Sequence, residues 1–149
     1  MNLLAKCTLS MVFFTSSIGA ATAQGSDVIG YVMKVSGNAS VTTGTTSVAA
    51  VVGTPLTEGA VLRVGPQSSL GITLRDNTLM SLGPNSELAI EDYLYAPEKN
   101  DLKLTARITH GTLNFISGVI SKLRPESVQI KTPTGTIGVR GTHFLVKVD

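Results

Sequence analysis

The stretch Lys131-Thr132-Pro133-Thr134-Gly135-Thr136-Ile137-Gly138-Val139-Arg140-Gly141-Thr142-His143-Phe144-Leu145-Val146 decides how the rest of the chain is read. It alternates small, apolar and polar residues, punctuated by a proline and glycines. Both are poor in a helix interior, so the stretch reads as strand and turn. Thr132-Pro133-Thr134-Gly135 has turn chemistry: proline presets φ at the second position, and Gly135 supplies a positive φ further on. Ile137 and Val139 then share a strand face. Beyond Gly141-Thr142 the apolar positions are Phe144, Val146 and Val148, so the parity moves from odd to even. One residue has to be absorbed, and Gly141 is the expected site of a β-bulge. A bulge either bends a strand round a sheet edge, its common use, or re-aims Arg140 or His143 into a site.

Working back along the chain, the same period of two recurs. Leu102, Leu104, Ala106 and Ile108 interleave with Lys103, Thr105, Arg107 and Thr109, which predicts a strand with one wet face. Ile29, Tyr31, Met33 and Val35 are expected on one face of a first strand, and Ala39, Val41 and Thr43 begin a second. Val48 to Val52 is a short apolar run ending at Gly53-Thr54-Pro55. Turn signals such as Gly37-Asn38, Glu58-Gly59, Asp76-Asn77 and Arg124-Pro125-Glu126 recur at short intervals. Val119 to Leu123 is the one helical candidate, too short to shape the fold.

Val64 to Ile72 aligns with Leu82 to Ile90, 18 residues on, through shared Gly, Pro, Ser, Leu and Ile. The unit is a Gly-Pro turn followed by a strand burying Leu and Ile. Two copies suggest successive rungs of a roll, but are too few for a free-standing solenoid. The expected fold is therefore all-β: a two-layer β-sandwich, jelly-roll-like, with a rolled, β-solenoid-like segment.

The chain has 149 residues, 15% of them charged, with a net charge of +2. The length suits one domain, and the scattered lysines and arginines offer no track for a phosphate backbone, so no nucleic-acid partner is expected. Lys6, the apolar centre Leu9 to Phe14 and the small residues Ala21-Thr22-Ala23 fit a signal peptide over residues 1–23. Cleavage after Ala23 leaves residues 24–149 as the domain, with no stable membrane span; retention as an anchor is the alternative. Cys7, the single cysteine, precedes the apolar run and lies within the leader. The mature chain has neither disulfide nor thiolate and relies on core packing.

The C-terminal motif resembles that of the FecR domain family of bacterial cell-envelope proteins. The residues that carry the likeness are Thr132, Pro133, Gly138, Val139, Arg140, Gly141, Thr142 and Phe144. Gly30, Val35-Ser36-Gly37, Leu56 to Gly59 and Ser69 to Thr78 extend it over residues 28 to 149. Asn77 stands where the family's Asp-Gly-Ser turn has glycine. The resemblance implies an all-β domain outside the cytoplasmic membrane. In full-length FecR-type regulators that domain takes a signal from an outer-membrane receptor and controls a sigma factor through a membrane helix and a cytoplasmic segment. Here the expectation is that the chain lacks the sigma-binding segment ahead of its leader and a second apolar stretch after it. The expectation is the domain type, acting without its own route across the membrane.

Catalytic signals are weak. His110 and His143 lie away from carboxylates in sequence, and there is no Gly-x-Ser-x-Gly elbow, phosphate loop or His-Glu-x-x-His pair. Glu87, Glu91, Asp92, Glu98 and Asp101 match no calcium-loop spacing and read as solvated charges, so no metal or cofactor is expected. Tyr93 and Tyr95, at i and i+2, share a strand face. They are either the aromatic lid of a core without tryptophan, the preferred reading, or a platform for a sugar ring or a partner. Arg140 either braces turn carbonyls or a carboxylate, again preferred, or meets a partner.

The functional expectation is a periplasmic or secreted, non-enzymatic binding or scaffolding module of the cell envelope. It docks to an envelope protein through an exposed strand edge, with Arg140, Tyr93 and Tyr95 as the contact candidates. The alternatives are a carbohydrate- or peptidoglycan-binding module and a periplasmic sensory subunit acting through a separate membrane protein.

Overall fold

The computed structural model describes residues 27–141 and 143–149. The expected leader, residues 1–23, with Cys7 lies outside the described residues, as does Thr142 of the C-terminal motif. The described chain is all-β. Its strands are β1 (Val28–Ser36), β2 (Ala39–Thr43), β3 (Thr46–Ala49), β4 (Pro55–Thr57), β5 (Val61–Val64) and β6 (Ser69–Leu74). They continue with β7 (Leu79–Leu82), β8 (Glu87–Ala96), β9 (Asp101–Ile116), β10 (Val128–Thr132), β11 (Gly135–Gly138) and β12 (His143–Val148). The single α-helix is α1 (Val119–Leu123), as expected.

All twelve strands belong to one sheet that curls on itself and encloses one apolar core. The first half runs β4-β1-β6-β7-β9-β12 and the second β3-β2-β5-β8-β9-β10-β11. Strand β9 serves both: residues up to His110 pair with β8, and residues from Gly111 pair with β7 and β12. At the change-over Gly111 has φ +96°, a conformation that favours glycine. Neighbouring strands are antiparallel except β10, which lies parallel to β9.

Period-two patterning puts complementary rows inside. Val32, Ile72, Met80, Phe115 and Phe144 are in register across the first half. Val41, Leu62, Leu88 and Ile108 answer them in the second. Most of these are fully buried, and Phe115 stacks on Phe144 with ring centroids 4.9 Å apart. Each fully buried Leu or Ile contributes about 1.5–3 kcal/mol. Leu102, Leu104, Ala106 and Ile108 all point inward, as their spacing predicts.

Several expectations need correction. In β1, Tyr31 and Met33 face solvent while Ile29 and Val32 are buried. Irregularities between Val28 and Gly30 and between Val32 and Lys34 shift the register, so strict alternation fails. Of the apolar run Val48 to Val52, only Ala50 is buried, and Val48, Val51 and Val52 are exposed. Gly141 is not a bulge within a strand. Its φ of +106° lies in the link where the chain leaves β11 in one half and enters β12 in the other, and that link absorbs the parity change. The Pro133-Thr134 turn closes the β10–β11 hairpin with Thr132 opposite Gly135, and no residue of it has positive φ.

The internal repeat is real but is not a stack of rungs. Its first copy leads from β5 in the second half to β6 in the first; its second leads from β7 in the first half to β8 in the second. Each Gly-Pro turn therefore carries the chain round a corner between layers. In both turns the residue after proline is left-handed, Gln67 at φ 53° and Asn85 at φ 54°. The following serine is buried and caps another strand. Ser68 Oγ accepts from Asn38 N and Ser86 Oγ accepts from Thr112 N, at 2.9 and 3.0 Å. Gly37 and Gly111, both at positive φ, lie against these serines where a Cβ would collide.

Candidate docking surfaces

The expected contact residues do not come together. Arg140 is exposed at the end of the β10–β11 hairpin and enters no ion pair among the described residues, so the carboxylate brace expected for it is not observed there. It borders a groove of about 490 Å³ with Glu126, Gln129 and Thr136. Tyr93 and Tyr95 lie in β8, and the strand alternation does place both toward the core side. Tyr93 is only 6% exposed, which leaves no ring face free for a sugar; Tyr95 is half-buried. Of the motif residues, Thr132 and Phe144 are half-buried, and Pro133, Gly138, Arg140 and Gly141 are exposed.

Tyr93 instead completes a buried polar cluster that sequence reasoning missed. Asp76, fully buried, turns the chain from β6 to β7. Its Oδ1 accepts from the Tyr93 hydroxyl at 3.1 Å and from Thr78 N at 3.3 Å. Its Oδ2 accepts from Thr78 Oγ1 at 2.7 Å and from Ile120 N at 3.1 Å. The Tyr93 hydroxyl also accepts from Asp76 N, and the Asp76 carbonyl accepts from Val119 N. A buried carboxylate requires such partners, since desolvation without them costs several kcal/mol. Burial first, then the Asp76 charge, hold the Tyr93 phenol above its ordinary pKa of 10.0. Helix α1 is thus structurally important after all: it presents two amides to Asp76 and seals the core with Ile120. The one sequence signal was the Asp76-Asn77-Thr78 turn, which does not reveal that its carboxylate points inward.

The acidic residues flagged in sequence are mostly paired across strands rather than merely solvated. Glu91 receives Lys131 Nζ at 2.8 Å and Arg107 Nε at 2.5 Å. These hydrogen bonds, Lys131 first, hold its carboxyl below the usual range against a smaller opposing effect of burial. Arg63 meets Glu87, and Lys103 meets Asp92. No cluster suited to a metal ion occurs among the described residues. His110 and His143 are exposed; His143 Nε2 bonds Asn114 Oδ1, and Thr109 Oγ1 is the partner of His110 Nδ1.

The two outer faces differ. That of the second half carries the ion pairs just described, with Val48, Leu94 and Ile137 exposed on separate strands. That of the first half carries Tyr31, Met33, Leu79, Ile116 and Leu145, all exposed. Tyr31, Thr73, Leu79, Ile116 and His143 are in register across five strands there.

Comparison with known proteins adds the decisive observation: the family described as FecR protein matches residues 60–149. The chain belongs to the FecR family. The match takes in β5 to β12, including both repeat corners, the Asp76 turn and the C-terminal hairpin. FecR membership makes this a domain of the bacterial cell envelope, related to signalling. No curated protein and no solved structure matches the chain. No helix among the described residues of this FecR domain is long and apolar enough to cross a membrane.

Proposed function

We propose that this FecR domain is a non-enzymatic docking module, exported by its N-terminal leader, that binds another protein of the envelope. One observation carries the reading: most of the C-terminal family motif is displayed rather than buried. Residues Pro133 to Gly138 and Arg140 are exposed on a hairpin whose outer strand, β11, is hydrogen-bonded on one side only among the described residues. Strand β12 likewise pairs on one side only among the described residues. Open edges and an exposed guanidinium suit strand addition and carboxylate recognition.

The test is affinity capture from envelope extracts with the parent protein and with Arg140→Ala. The parent is expected to recover one partner reproducibly, and Arg140→Ala to recover about tenfold less, as for loss of a charged contact. Repeated recovery of no partner would end the reading. The signalling context of the family supports a sensory form of the same proposal, in which the bound partner is a membrane protein that carries the message inward. The polysaccharide reading loses its paired platform because Tyr93 is spent on Asp76.

A further inference from the structure

We infer that the domain has a second docking face besides the hairpin and Arg140, the outer surface of the first half of the sheet, and that its occupant is a protein surface whose apolar centre is fringed by carboxylates. The inference goes beyond the docking reading. Tyr31, Met33, Leu79, Ile116 and Leu145 stand together there, with Met33 58% and Leu145 69% exposed. Side chains of this size form a patch on the order of a few hundred Å², the scale that marks interaction sites rather than scattered exposure. The patch lies on interior strands β7 and β9 as well as on β1 and β12, with Thr73 of β6 between Tyr31 and Leu79, so most of the backbone beneath it is already hydrogen-bonded. An occupant meets side chains there, and the open edge of β12 continues the surface beyond Leu145.

Charge identifies the occupant. On the outer face of the second half the cations are matched to carboxylates, Arg63 to Glu87, Lys103 to Asp92, and Arg107 and Lys131 both to Glu91. The apolar face is bordered by Lys34, His143 and Lys147. Lys34 enters no ion pair among the described residues, and Lys147 holds only the exposed Asp149 at 3.4 Å. A second copy would set one basic border against another. A partner with acidic residues round an apolar patch satisfies both the centre and the rim.

The test is photo-cross-linking in intact cells, using the full chain with p-benzoylphenylalanine in place of Leu79, Leu145, Thr134 or Ser47. Leu79 and Leu145 probe the apolar face, Thr134 the hairpin, and Ser47 the opposite half. The expected result is cross-linking from Leu79 and Leu145 to one other protein, mapped to a segment with apolar residues flanked by Asp or Glu. The combined change Lys34→Glu and Lys147→Glu, with an unchanged far-UV spectrum, should lower that yield about tenfold. Cross-links to a second copy or to lipid overturn the inference, as does an unchanged yield on charge reversal. Protein cross-links from Thr134 or Ser47 alone overturn it while leaving the docking reading in place. Absence of protein cross-links at all four positions removes both.

Discussion

Gly111 sits where β9 changes partners, at φ +96° and against the side chain and backbone of Ser86. Gly111→Ala adds both left-handed strain and overlap, and is expected to cost about 3 kcal/mol, read by urea unfolding. Tyr93→Phe removes the partner of Asp76 N and one partner of Asp76 Oδ1, at an expected cost of about 1–3 kcal/mol. Its signature is in the pH dependence. Because folding raises the Tyr93 pKa, the stabilisation is complete below about pH 10, the unfolded value, and is lost as the pH rises from there toward the folded value. The stability difference between parent and Tyr93→Phe should therefore shrink above pH 10; a constant difference would contradict the assignment. That Tyr93 faces the core was legible in sequence, but its pairing with Asp76 was not. A pattern of apolar alternation says which side chains face inward, but not that a carboxylate and a phenol will share the interior.

The repeat shows what an element-scale pattern conveys and where it stops. Its five shared residues correctly announced a turn and an inward-facing Leu-Ile strand. They could not show that the two strands lie in opposite halves, because a corner and a rung begin with the same turn chemistry. The serine in each copy holds the corner. Ser86→Ala leaves Thr112 N without its acceptor, and Ser68→Ala does the same to Asn38 N. Each is expected to lower stability by about 1–2 kcal/mol in denaturant titrations, and a change within experimental error would show that the turns stand without them. Strand β1 misled the pattern in another way. Its register irregularities turned Tyr31 and Met33 outward, and that is how an apolar surface came to exist where a core face was expected. Glu91 belongs at this scale too, since it ties β8 to β9 and β10. Its lowered pKa means that this tie is present above the ordinary carboxylate pKa and is lost as the pH falls through the folded value.

At the scale of the molecule, the all-β class and the layered core followed from spacing alone, while the division of labour between the two halves did not. Because β9 belongs to both, neither half is an independent unit. Tyrosine fluorescence and far-UV circular dichroism should report coincident urea transitions, and two separated midpoints would show that the halves unfold apart. The strand directions carry one more consequence. Four successive antiparallel steps, β1 to β6 to β7 to β9 to β12, leave β1 and β12 pointing the same way. Val28 therefore enters at one end of the sheet and Val148 leaves at the other. Tension applied between these two points runs along the strands. It loads many interstrand hydrogen bonds in shear at once instead of peeling them open singly, so the fold is built to bear a mechanical pull through its own sheet.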